Sequence, residues 1–271
     1  TSDLTGVTFP DAGHGFVVGD NGMILHTTDG GLSWAIQSSG STIDLSGVSF
    51  ADVTKGVAVG DSGTILHTTD GGASWIMESS GTTMPIWGVS LTDASTATAV
   101  GVAGTIVRTT DGGNSWISLL SGTTTTLYSV CFSDASAGTA VGESGMILHT
   151  SDGGANWMRQ TSGTTSPLTG VAFTDTHTGI VVGESGTILY TTDGGTSWKD
   201  RSSSTTNFLF AVSLPAANIG TVVGTQGVIL HTSDGGAHWS SQSSGTTVSL
   251  IGVHFSDVSN GIVVGYEGTI L

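Results

Sequence analysis

The octet Thr-Thr-Asp-Gly-Gly-Leu-Ser-Trp at 27–34 returns in close variants at 68–75, 109–116, 150–157, 191–198 and 232–239. Its aspartates, Asp29, Asp70, Asp111, Asp152, Asp193 and Asp234, stand 41 residues apart with no insertion between them. A second signature, Val-Gly-x-x-Gly followed by an apolar triplet, sets Gly19, Gly60, Gly101, Gly142, Gly183, Gly224 and Gly265 at the same interval. Fixed spacing of this kind copies one supersecondary unit, and each copy buries its apolar face against its neighbours. Seven copies begin in this chain, and the last stops before its own Asp-Gly-Gly and Trp.

One unit reads as four short strands. Leu45 to Phe50 is the first, a turn at Asp52 leads to Gly56–Gly60, and Asp61-Ser62-Gly63 turns the chain into Thr64 to Thr69. After Asp-Gly-Gly, Trp75 opens a fourth strand that ends at Ser79-Ser80-Gly81. Apolar and β-branched runs of about five residues, punctuated by Gly, Asp and Ser, are strand and turn signals. No segment holds a 3.6-residue period long enough for a helix. The expected fold is all-β: one domain over 1–271, a seven-bladed propeller of four-stranded antiparallel blades, the seventh lacking its outer strand. A parallel β-helix is the weaker alternative, because its coils lack this hairpin punctuation.

The octet has a mechanical reading. Asp-Gly-Gly gives a turn in which glycine takes positive φ without steric cost, and the carboxylate accepts N–H groups of its own turn. Trp34, Trp75, Trp116, Trp157, Trp198 and Trp239 then bury a large ring against the blade, each indole N–H seeking an acceptor. A catalytic residue is needed once, whereas a folding device is needed in every blade, so these twelve residues are read as structural. His26, His67, His149 and His231 also share one repeated position, with Arg108 and Tyr190 as exceptions. Packed sheets lie ~10 Å apart, which keeps such imidazoles off a single ion, so no metal site and no cofactor are expected. Cys131, the chain's one cysteine, stands where other units have Thr, Ser or Ala and reads as a small packed residue.

Ser/Thr-x-Asp-x-Gly-x-x-Trp resembles the Asp-box, or bacterial neuraminidase repeat. The longer unit, as in Gly63 to Trp75, is similar to the photosystem II stability/assembly factor family and its non-photosynthetic bacterial relatives. The resemblance spans essentially the whole chain and implies a seven-bladed ring without catalysis, acting as an assembly or binding scaffold. Lys55, Arg108, Arg159, Lys199 and Arg201 do not make up the basic surface of the photosynthetic members. Sialidases use three converging arginines with a Tyr nucleophile, yet here Arg108 lies on a third strand and Arg159 and Arg201 on fourth strands. A glycosidase with a carboxylate pair is the alternative from another class, because acidic residues abound.

Binding residues are sought where the repeat breaks. Just before the Gly-Val of the first strand the chain places Thr5, Ser46, Trp87, Tyr128, Thr169, Phe210 and Ile251 in turn, with Met84, Pro85, Asn207 and Phe208 close by. In a propeller this entry lies on the same face as the turns after the second strands, which carry Asp20, Asp61, Glu143 and Glu184. Asp3, Asp44 and Glu267 are expected there too. Trp87, Tyr128, Phe208 and Phe210 beside these carboxylates suit a protein or glycan partner. The competing reading is that the rings plug the mouth and the acids are solvated turns.

Five Lys+Arg against 21 Asp+Glu give a formal charge of −16, which argues against nucleic acid. No apolar run reaches the ~20 residues of a membrane helix. The acidic balance and the Gly, Ser and Thr richness suit an extracellular, periplasmic or cell-surface protein. Ile76, Met77, Ile117, Leu119, Leu120 and Met158 make the outer edge of blades two to four apolar, while Lys199, Asp200, Arg201, Ser240 and Ser241 keep blades five and six polar. With an open edge at Glu267 to Leu271, this rim suggests a second alternative, a subunit of an extracellular layer or filament assembling through the blade-seven edge or the rim. Thr1 opens between blades and is not Met, and the chain stops inside a third strand, which points to processing or excision from a longer protein.

Overall fold

The structure is a computed structural model that describes residues 2–201 and 203–271; Thr1 lies outside the described residues. Six four-stranded antiparallel sheets follow one another, each with its strands in sequence order. Blade two shows the plan: Leu45–Phe50, Gly56–Gly60, Thr64–Thr68 and Ile76–Ser79, with Trp75 just ahead of the fourth strand.

The seven-bladed expectation is corrected here: the structure has six blades, not seven. The seventh unit forms a two-stranded sheet, Leu250–Phe255 with Gly261–Gly265. Beyond it only an isolated bridge pairs Val264 with Ile270, where a third strand was expected. The physical reason is length of ladder: residues 269–271 supply too few partners for a third strand.

The seven first strands nonetheless stand side by side around one axis, the Leu250–Phe255 strand lying between Leu209–Ala216 and Leu4–Thr8. Closure is specific: the Glu267 N–H donates to Asp3 Oδ1 at 2.9 Å, and the His254 ring stacks on Phe9 at 6.0 Å. Burial holds the His254 imidazole down to about 4, so it packs as a neutral ring at neutral pH.

The core lies between blades. Second strands are apolar on both faces and buried along their whole length in blades one to five. Val57, Val59 and Ile65 of blade two, for example, pack with Ile86, Ala99, Val107 and Trp116 of blade three. Each valine and isoleucine of this cluster contributes about 1.5–3 kcal/mol by leaving water. Further out, the aromatic that ends the first strand meets the octet Trp edge-on, as in Phe132–Trp157 (6.0 Å, 86°). A glycine opens the second strand beneath that ring, since a Cβ at Gly138 would strike Phe132. Blade three replaces both partners together, with Leu91 and Ala97 in place of Phe and Gly.

Candidate functional site

Two faces result from this plan, and backbone bonds identify them. On one face the octet turn docks on the turn between first and second strands, as in Gly71 N–H to Thr54 carbonyl at 2.9 Å. On the other, the turn after the second strand docks on the link entering the same blade, as in Asp61 N–H to Asp44 carbonyl at 3.0 Å.

On the octet face the repeated carboxylates are taken up by their own turns. In blade one, Thr27 Oγ1 donates to Asp29 Oδ1 at 2.7 Å and accepts the Gly31 N–H, while Asp29 accepts both the N–H and the hydroxyl of Ser33. The same constellation recurs in all six octets, with Asn156 and His238 replacing serine. Hydrogen bonds hold the carboxyls of Asp29, Asp111, Asp152, Asp193 and Asp234 down to about 2 and lower that of Asp70. In five of the six the donor after the turn (Ser or Asn) acts first through its side chain; for Asp234 the His238 N–H acts first. The indoles found acceptors less often than expected: Trp116 donates to the Gly113 carbonyl at 3.1 Å and Trp75 to Gln37 at 3.5 Å. The turn acids Asp11, Asp52, Asp93, Asp134, Asp175 and Asp257 likewise accept N–H groups two and three residues on.

The opposite face opens on the axis. There a cavity of about 460 Å³ is lined by the first strand of every unit. Its lining includes Trp87, Tyr128, Phe208 and Phe210, together with Thr5, Ser46, Thr169, Ile251 and Tyr266. The register explains why this position varies. Leu4 pairs with Gly19 and Gly6 with Val18, which leaves Thr5 as the extra residue of a β-bulge, and the same slip occurs in all seven units. A bulged residue has no ladder partner, and its side chain is re-aimed, here toward the axis. Two bulge threonines still tie blades together, Thr5 Oγ1 to the Leu45 carbonyl at 2.6 Å and Thr169 Oγ1 to the Leu209 carbonyl at 2.5 Å. The sequence showed that the position varies; the bulge that makes it free shows only in the pairing.

The aromatics are unevenly spread around the mouth. Trp87, Tyr128 and the Phe208–Phe210 pair, whose centroids are 4.8 Å apart, come from blades three, four and six, while blades one, two and five present hydroxyls. Trp87 is 37% exposed and so is available to a partner. Tyr266, missed by sequence reasoning, also lines the cavity; it occupies the repeat position of Asp20, Asp61, Glu143 and Glu184. Those four therefore stand at the same level of the ring, just outside the lining. Glu143 accepts the Tyr128 hydroxyl at 3.1 Å, and burial together with that carboxylate pushes the phenol up to about 12.

Asp61 and Glu184 have no hydrogen-bond partner for their carboxylates among the described residues. The Asp20 carboxyl is raised, first by desolvation and then by Asp44, Asp3 and Asp61. Asp3 and Asp44 do have a task, since each accepts the N–H of a neighbouring turn, Asp44 that of Asn21 at 2.7 Å.

Among the described residues no group of three or more His, Cys, Asp and Glu could hold a metal ion. His67 is buried and faces Glu78 at 3.7 Å, and His26 stacks on Phe16 at 4.3 Å. Desolvation pushes the Cys131 thiol up to about 11, which leaves it protonated and inert at neutral pH. No helix among the described residues is long and apolar enough to cross a membrane.

With this geometry in place, comparison with known proteins assigns the family. The family model described as photosynthesis system II assembly factor YCF48 matches residues 1–124, 77–167 and 160–248. The chain belongs to that family. The family is one of assembly factors, which sets the chain apart from the sialidase and glycosidase readings. Among solved structures, "YCF48 bound to D1 peptide" is 23% identical with a TM-score of 0.82, covering 100% of this chain and 91% of that one. YCF48 from Cyanidioschyzon merolae is 21% identical with a TM-score of 0.82, covering 99% and 94%. The GH74 enzyme of Niastella koreensis shares the fold at 14% identity and a TM-score of 0.84, this chain spanning 52% of its length. No curated protein matches the chain.

Proposed function

We propose that this propeller, acting as one domain, is an assembly scaffold that holds a segment of a client protein in its axial mouth. The observation that carries the reading is the set Trp87, Tyr128 and Phe210 at the bulge position of their first strands, joined by Phe208, on an open cavity of about 460 Å³. Exposed aromatics around a concave site are the usual anchors of protein recognition. A solved relative that shares this fold was captured with a D1 peptide, which supports a peptide as the class of ligand. Asp20, Asp61, Glu143 and Glu184 form the polar rim. The acidic composition favours an extracytoplasmic site of action, to be checked by fractionating the source cells.

Photo-crosslinking tests the reading. A benzoylphenylalanine probe at position 87 or 208 captures a discrete protein from source-cell extract, and the same probe at 36 or 117 on the outer edge does not. Capture from the outer edge alone contradicts the proposal. Capture of a second copy of the chain there identifies the self-assembling subunit, and binding of glycans but no protein at the mouth identifies a lectin.

A further inference from the structure

Charge, like the aromatic side chains, is unevenly spread around the mouth. Phe208, which lines the cavity, shares its repeat position with Asp3 and Asp44, and Tyr266 shares its own with Asp20, Asp61, Glu143 and Glu184. Blades one and two thus set four carboxylates on the rim, blades four and five one each (Glu143 and Glu184), and blades three and six none, with Pro85 and Val102, and Phe208 and Thr225, in their place. None of the five Lys and Arg residues lines the axial cavity: Lys55 belongs to a turn on the octet face, Arg108 to a third strand, and Arg159, Lys199 and Arg201 to outer fourth strands or their ends. Most other acids of the chain are consumed by turns or octets, each accepting two or more N–H or O–H donors. Asp61 accepts none among the described residues, and the Asp20 carboxyl, whose rim position also faces Asp44, Asp3 and Asp61, is raised first by desolvation and then by those three carboxylates. Uncompensated like charges of this kind cost stability, and a cation that arrives relieves the repulsion. An aromatic face and a carboxylate side by side suit the same ligand group, because rings attract cations over their faces.

We infer that the client segment is cationic and apolar at once: a Lys- or Arg-bearing stretch whose positive side chains lie over Asp20 and Asp61 while a neighbouring aromatic or aliphatic side chain enters the cavity against Trp87, Tyr128 and Phe210. This rests on the mouth being the docking site and adds the chemistry of what docks.

Three fluorescein-labelled dodecapeptides, alternating Lys-Phe, Gln-Phe or Glu-Phe, are titrated into the full chain at low and at moderate salt, with anisotropy as readout. The Lys-Phe peptide is expected to bind at least about tenfold more tightly than the Gln-Phe peptide at low salt, with the advantage shrinking as salt screens it. The pair Asp20→Asn with Asp61→Asn removes most of that advantage. The pair Asp93→Asn with Asp134→Asn, on the octet face, leaves it intact. Both pairs are nearly isosteric, and their unfolding midpoints are read alongside. Equal binding of Lys-Phe and Gln-Phe overturns the inference, and if Trp87→Ala still weakens both, the mouth reading survives it. An equal loss from the octet-face pair also overturns it, because the advantage then belongs to the net charge of −16. Failure of all three peptides to bind overturns it as well, and the mouth reading is then decided by crosslinking from position 87.

Discussion

The two faces of this propeller carry the same kinds of residue to opposite ends. Asp29 and its five equivalents recur in identical surroundings, each carboxylate saturated with donors and its carboxyl lowered. Asp20 sits at a repeated turn on the other face, where desolvation and the neighbouring Asp44 and Asp3 outweigh its one backbone donor and its carboxyl is raised. Six of the seven tryptophans follow the same rule: they are octet rings packed on the sheets, and the seventh, Trp87, stands exposed at the mouth. Where every blade repeats a residue, the residue builds the blade. Where blades differ most, as at Trp87, the side chain hangs from a bulge and lies open at the cavity.

The sharpest way to break this contrast is a pair of truncations. Trp157→Ala empties a ring site 9% exposed and is expected to cost about 3–5 kcal/mol in denaturant unfolding. Trp87→Ala is expected to leave the midpoint within about 0.5 kcal/mol and to abolish client binding. A large loss of stability at Trp87 would make the mouth a structural plug. Next in size, Thr150→Val removes a buried hydroxyl that donates to Asp152 and accepts the Gly154 N–H, at about 1–3 kcal/mol.

Acid separates the faces by sign. Carboxyls lowered in the folded state stabilise fully above their unfolded value near 4 and lose that contribution as pH falls toward about 2. Unfolding midpoints should therefore hold above about pH 5 and fall steeply between about 4 and 2. A raised carboxyl acts the other way, so Asp20→Asn should raise the midpoint at pH 7 and lose its advantage at pH 3. The smallest effect is at the mouth turns. Ala103 is held at φ 56°, in the left-handed region, and Ala103→Gly should stabilise by about 0.5 kcal/mol in the same assay.

Much of this was legible in the residues. The interval between Asp29 and Asp70 gave the blade, and the runs around Leu45 and Val57 gave strands in nearly the observed places. Trp87, Tyr128, Phe208 and Phe210 were marked by departure from the repeat, and the structure gathers them on one cavity. Pairing was not legible, because a bulge leaves period-two alternation almost unchanged. It appears only when residues are matched across the ladder, here Ile86 with Gly101 and Gly88 with Val100. For the same reason the glycines of the seventh unit predict a blade, whereas a sheet is counted from partners, and Gly261–Gly265 found one strand and a single bridge. The sequence marks an apolar lateral edge in blades two to four, yet Ile36 of blade one is 75% exposed and extends that surface.

The most direct test is amide chemical-shift mapping of the intact chain titrated with the Lys-Phe peptide. The account predicts shifts concentrated at the bulge residues Thr5, Ser46, Trp87, Tyr128 and Phe210 and at the turns of Asp20 and Asp61, with the octet turns unmoved. Shifts centred on the turns of Asp29, Asp111 and Asp193, with a silent mouth, would contradict it.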